Sequence, residues 1–277
     1  MPSAKFTQRY RIDKPDRFRL ADFDTADTAL KLDKDELKAL LAEDAERLGE
    51  LQERLYAEDK WSVLIVLQGM DTAGKDGVIE HVMAGVNPQG CVVHAFKAPS
   101  AEEIDHDFLW RSAVRVPERG RIGIFNRSHY EEVLVVRVHP DLLARQKLPP
   151  SLMGKDIWEH RFKGIRGFER HLARSGTIVL KFFLHISREE QRQRLLARLD
   201  EPAKRWKFNP GTSPSASSGT NTWRPTRTRS ARPAVIMHLG TLCRPTTSRS
   251  RAWSWRGRSW TRSHASTSNI RRSTPLA

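Results

Sequence analysis

Leu37, Leu41, Leu48, Leu51 and Leu55 recur at three-, four- and seven-residue spacing between charged residues. This pattern predicts an amphipathic helix whose leucine stripe packs on a core. The next apolar stretch, residues 62–68, is short, rich in β-branched side chains (Val63, Ile65, Val66) and ends at Gly69. Such a run predicts a strand buried on both faces, as in a parallel sheet. Helical and strand patterns then alternate: a helix from 75 to about 86, a strand at 91–96, a helix at 101–116 and a strand at 121–125. A helix from about 155 to 174, a strand at 177–186 and a helix opening after Ser187 follow. This order predicts an α/β fold, a doubly wound parallel sheet with helices on both faces. Beyond Pro210 the periodicity stops, and an irregular C-terminal tail is expected.

Charge sharpens that boundary. The formal net charge is +15, yet every one of the 33 acidic residues lies at or before Glu201, and 12 arginines with no lysine follow Pro210. The body is therefore nearly balanced and the tail carries most of the excess. At 277 residues the chain can bury a sizeable core in one α/β domain with an appendage. Its two cysteines, Cys91 and Cys243, lack the spacing of a zinc site and are too few for a disulfide framework. No apolar stretch approaches bilayer length and the first 19 residues are polar, so a cytoplasmic protein without a membrane partner is expected.

Chemistry concentrates after the first strand. Gly69, Met70, Asp71, Thr72, Ala73, Gly74, Lys75, Asp76 and Gly77 link that strand to a helix. Small residues let successive backbone N–H groups line one concavity, the helix N-terminus adds partial positive charge, and a lysine can reach terminal phosphates. The segment thus has the makings of a P-loop that binds nucleotide phosphates. The hydroxyl residue that usually follows the lysine and binds magnesium is replaced by Asp76. The metal then needs another hard oxygen, which Asp71 can supply, although an aspartate there can equally cap the loop.

A second polar cluster ends the strand at 121–125. Asn126 stands where a Walker B aspartate would be, and Arg127 can fork onto phosphate oxygens or form a surface ion pair. Ser128 follows as a further phosphate-binding candidate, and Glu132 offers either a second carboxylate to the metal or a solvated helix start. Ligands of open α/β sheets bind at such strand ends.

The loop from Gly69 to Gly77, the run from Phe125 through Leu134, the strand end Leu180 to Ser187, and Lys204-Arg205-Trp206-Lys207-Phe208 together resemble the polyphosphate kinase 2 family. The resemblance spans residues 1 to about 210. It implies a P-loop kinase-like core, a helical lid, Mg²⁺ as cofactor, polyphosphate and adenine nucleotides as partners, and a homo-oligomer. Asn126 in place of aspartate resembles the branch acting on both AMP and ADP. The resemblance makes Asp71, Lys75, Asn126 and Arg127 catalytic, with Asp71 and Glu132 as metal ligands. Arg188, Arg192, Arg194, Arg198, Lys204, Arg205 and Lys207 lie on or just after the last helix. A cationic channel there would hold a polyanion, although Glu189, Glu190, Asp200 and Glu201 offset part of the charge and surface arginines often serve only solubility.

The resemblance stops near Pro210, and a shift of reading frame accounts for the break. Codons can be chosen for residues 237–246 that, read one base out of phase, encode Ala-Pro-Trp-Tyr-Val-Val-Pro-Ala-Asp, a strand like one that related proteins carry. The same shift removes acids from the tail. The expected organisation is an N-terminal extension and helix (1–60), a phosphotransferase core (61–187), a partial lid (188–210) and an aberrant basic tail (211–277) that impairs the enzyme. Two rivals remain: an ATP-dependent small-molecule kinase on the same fold, and a nucleic-acid-binding protein using the arginines with Trp223, Trp253, Trp255 and Trp260. The frame account disfavours the second.

Overall fold

The computed structural model describes residues 10–12, 19–27, 33–200 and 234–239. Strands β1 (Ser62–Gly69), β2 (Cys91–Ala95), β3 (Ile122–Asn126), β4 (Thr177–His185) and β5 (Ala234–Leu239) form one sheet in the order β2-β3-β1-β4-β5. The pairs β1–β3, β1–β4 and β2–β3 are parallel, and β5 runs antiparallel to β4. The longer helices are α1 (Lys34–Glu58), α2 (Lys75–Val82), α3 (Ile157–Arg174) and α4 (Arg188–Asp200).

β1 is central because its side chains are apolar on both faces. Leu64 and Val66 enter one core cluster with Phe96, Phe125, Leu172 and Val179, while Leu67 enters another with Ile122 and Ile124. The chain leaves β1, reaches β2 and β3 on one side, and returns to β4 on the other. The order reverses at the C-terminal end of β1, where a doubly wound sheet opens its crevice.

Four expectations are corrected. The leucine stripe packs along only part of its helix: Leu55 joins the second cluster, whereas Leu41 is exposed. Close approach is seen in the middle of α1, where a Cβ on Gly49 would meet the Gly85 carbonyl at 2.5 Å, and near its C-terminal end, where one on Gly120 would meet the Tyr56 carbonyl at 3.2 Å. The helix expected at 101–116 is broken into Ala101–Asp105 and Trp110–Ala113, because the Asp107 side chain accepts from Leu109 N (2.9 Å) and turns the chain. The helix expected to reach about residue 86 ends at Val82. The tail expected to be irregular contains β5, whose apolar run from Ala234 to Leu239 pairs with β4 from Leu180 to His185. Among the described residues no helix is long and apolar enough to cross a membrane.

Candidate functional site

The phosphate loop leaves β1 at Gly69, the last residue of the strand to pair with β4. A Cβ at Gly69 would stand 2.8 Å from the Leu184 carbonyl oxygen, so only glycine lets the loop turn that close to β4. Thr72 (φ 66°) and Gly74 (φ 96°) both adopt left-handed backbone, which is ordinary for glycine but strained for threonine. Gly74 then caps α2, and its carbonyl accepts from Val78 N at 2.9 Å.

Lys75 opens α2 and is 8% exposed. Its Nζ donates to the carbonyls of Gly69 (2.9 Å) and Met70 (3.2 Å). An ammonium has three N–H donors, so one stays available to a phosphate oxygen. Burial and then the Arg127 charge lower its pKa, while Asp71, Glu131 and Asp76 work the other way.

Opposite the loop, β3 delivers Asn126 and Arg127. Asn126 donates to Asp76 Oδ1 at 2.7 Å, which ties the residue after the lysine to the neighbouring strand. Arg127 also has left-handed backbone (φ 65°), and its amide donates to Leu67 O at 3.0 Å. Its guanidinium pairs with Asp71 through Nη2 and with Glu131 through Nη1 at 3.1 Å. Burial alone would lower its pKa, but Glu131 and Asp71 outweigh that and raise it. Gln68 Nε2 and Ser128 Oγ lie 3.0 Å apart. With its amide turned so that nitrogen faces Glu131, Gln68 donates to Glu131 Oε1 at 3.1 Å and accepts from Ser128 N at 3.2 Å. Thr72 and Arg127 thus both hold strained left-handed backbone, a feature that clusters at functional sites.

Glu132 requires correction. It is 6% exposed, so it is not a solvated helix start, and its carboxylate pairs with Arg161 Nε at 3.0 Å and accepts from Gln146 Nε2 at 2.8 Å. Its pKa is raised, chiefly by burial, with Arg161 opposing. The carboxylate that shares a partner with Asp71 is Glu131, which the sequence reading passed over. Its signal was the four-residue spacing from Arg127, which lets the two side chains meet on one helical turn.

The cations expected to form a lid divide. Arg194 donates to the Thr72 carbonyl at 3.0 Å and to Glu190 at 2.8 Å, and buried Gln191, also unforeseen, donates to the Asp71 carbonyl at 3.1 Å. The first turns of α4 therefore grip the phosphate loop from behind. Arg192 instead pairs with Glu189 at 3.1 Å on the exposed surface. Arg188 is exposed and Arg198 half-buried. Lys204, Arg205 and Lys207 lie outside the described residues.

Similarity decides the family. The family model described as "Polyphosphate kinase 2 (PPK2)" matches residues 31–223. The chain belongs to the polyphosphate kinase 2 family. Among relatives of this family, the ADP-polyphosphate phosphotransferase of Rhodopseudomonas palustris is 50% identical over 204 residues, covering 73% of this chain and 71% of that protein. The AMP/ADP-polyphosphate phosphotransferase of Meiothermus ruber is 49% identical over 205 residues, 74% of this chain and 73% of that one. The crystal structure of polyphosphate kinase 2 from Arthrobacter aurescens TC1 superposes with a TM-score of 0.69 at 40% identity, over 78% of this chain and 73% of that chain. The family match reaches 13 residues past Pro210, where the motif resemblance stopped.

In this polyphosphate kinase 2 chain a second polar cluster adjoins the turn after β3. Glu169 on α3 accepts from Tyr130 Oη at 2.7 Å and from Lys181 Nζ at 2.7 Å, and its Oε1 stands 3.5 Å from His129 Nε2. Burial alone would raise its carboxyl, but His129, Lys181 and Tyr130 outweigh burial and hold it at about 2. That value lies below the ordinary 4.5, so the stabilisation is fully present above about pH 4.5 and is lost as pH falls toward 2. Glu169→Gln should therefore lower the unfolding free energy by on the order of 3 kcal/mol near neutral pH. In urea titrations the deficit should narrow below pH 4.5, and a deficit unchanged from pH 7 to pH 3 would contradict the assignment.

Proposed function

We propose that this chain transfers phosphate between inorganic polyphosphate and adenine nucleotides, with AMP and ADP as acceptors and Mg²⁺ as cofactor. The observation that carries the reading is the meeting of buried Lys75 with the Asp71–Arg127–Glu131 network at the C-terminal end of β1. Phosphoryl transfer asks a protein mainly to position two anions and neutralise charge between them, which this set of groups is suited to do.

In this reading the loop amides from Gly69 to Gly77 and the remaining donor of Lys75 hold the nucleotide phosphates. Arg127 exchanges one of its carboxylate partners for a phosphate oxygen of the donor. Asn126 and Ser128 keep the two strand ends in register through Asp76 and Gln68. The donor chemistry fits a hard divalent cation: Asp71 presents a carboxylate whose side chain is 26% exposed beside the loop. Mg²⁺ is commonly bound by one or two carboxylates plus substrate phosphates, so Asp71 would hold it. When bound, the ion supplies charge neutralisation on the transferred phosphoryl group. Glu132, occupied by Arg161 and Gln146, is left out of the metal site. Gln191 and Arg194 tie the first turns of α4, the described part of the proposed lid, to the Asp71 and Thr72 carbonyls of the core.

Supplying AMP or ADP with polyphosphate as the sole donor tests the reading. Both should be phosphorylated, whereas an ATP-dependent small-molecule kinase would leave polyphosphate untouched. A frame shift after about codon 210 remains our reading of the tail, in which residues 234–239 pair with β4 as the edge strand β5. The nucleotide sequence across that codon tests it: a single-base change that restores the acids is expected, and an intact frame would refute it.

A further inference from the structure

The turn that carries Arg127 faces two ways. Arg127 reaches Asp71 of the phosphate loop, and Glu131 pairs with the same guanidinium. Between them, His129 and Tyr130 point to the opposite side, into the cluster built by Glu169 of α3 and Lys181 of β4. The His129 side chain is fully buried, and Glu169 and Lys181 are 11% and 16% exposed. Lys181 Nζ donates to both the Tyr130 hydroxyl (3.0 Å) and Glu169 (2.7 Å), so one carboxylate receives contacts from three side chains, two on the turn after β3 and one on β4. The ring of His129 packs on Tyr130 and Phe168, at centroid distances of 4.8 and 5.5 Å.

We propose that Glu169 is a positioning residue for phosphoryl transfer: by holding His129 and Tyr130 it fixes the turn that presents Arg127 and Glu131 to the phosphate loop. Arg127 sits in a left-handed conformation that a non-glycine residue keeps only where its surroundings over-determine it. On the sheet side that determination comes from the Leu67 carbonyl, which accepts the Arg127 amide. Beyond Arg127 it comes from His129 and Tyr130, two and three residues further along. Those two side chains have no apparent reason to reach a buried carboxylate for packing alone, since burying Glu169 and Lys181 carries a desolvation cost that an apolar pair would avoid. What the charged pair provides is a directional anchor, and a shift of about 1 Å in a reacting group can cost roughly a hundredfold in rate.

The inference rests on the proposed role of Arg127, so its test includes that residue. In the full chain, with polyphosphate and ADP as substrates, Glu169→Gln should lower kcat by about thirtyfold and Tyr130→Phe by about fivefold. The KM for ADP should change less than twofold in each. In an Arg127→Ala background both effects should shrink to less than twofold, because the group they position is gone. If Glu169→Gln fails to fold, Tyr130→Phe, which removes a single oxygen, decides alone. Equal losses in both backgrounds, or folded variants within twofold of the parent, would overturn the proposal while leaving the site reading intact. An Arg127→Ala variant that turns over at the parent rate would overturn both.

Discussion

Lys75→Ala should abolish most phosphoryl transfer, a loss on the order of 3–4 kcal/mol of transition-state stabilisation, or several hundredfold in kcat. The lysine is the only ammonium described at the loop, it is 8% exposed, and two of its donors are already spent on the Gly69 and Met70 carbonyls. That geometry fixes the direction of the remaining donor, and preorganised donors are what this chemistry rewards. The fold should survive, because the change removes two hydrogen bonds to loop carbonyls, about 1 kcal/mol each, and leaves the strand clusters intact. Steady-state turnover and a thermal melt on the same sample check both halves. Activity within threefold of the parent would remove the P-loop assignment.

The second large effect belongs to Asp71. Asp71→Asn keeps the shape of the side chain but withdraws the charge that both pairs with Arg127 and would hold Mg²⁺. Turnover at saturating Mg²⁺ should fall at least a hundredfold, on the scale of losing one preorganised electrostatic group. Polyphosphate affinity should change by no more than about threefold if, as in the proposed reading, cations and not this carboxylate hold the polyanion. Titrating Mg²⁺ at fixed nucleotide, beside a direct polyphosphate-binding measurement, separates the two. A variant that keeps its rate and loses affinity would assign Asp71 to substrate binding instead.

The strand–loop–helix unit from Ser62 to Val82 was legible because each of its requirements is local. β1 declares itself by apolar side chains on both faces, and the loop by glycines at Gly69 and Gly74, where crowding or positive φ excludes a Cβ. Contacts between elements were not legible. Glu131 and Glu132 are adjacent and identical in type, and only the turn after β3 sends one to Arg127 and the other to Arg161. Arg192 and Arg194 likewise read as equals, yet Glu189 holds the first at the surface while the second reaches the Thr72 carbonyl. The strand β5 was missed for a different reason. Its six residues lie in a segment whose overall composition is that of a solvated tail, and a short apolar run carries little weight until an open strand edge is known to await it.

The most direct measurement is ATP formation from ADP with polyphosphate as the only phosphoryl donor, followed beside the shortening of the polyphosphate chain. One ATP should form for each phosphate removed in the parent, with a drop of at least a hundredfold in both signals for Lys75→Ala. Polyphosphate consumed without a matching gain of ATP, or ATP formed equally well by Lys75→Ala, would contradict it.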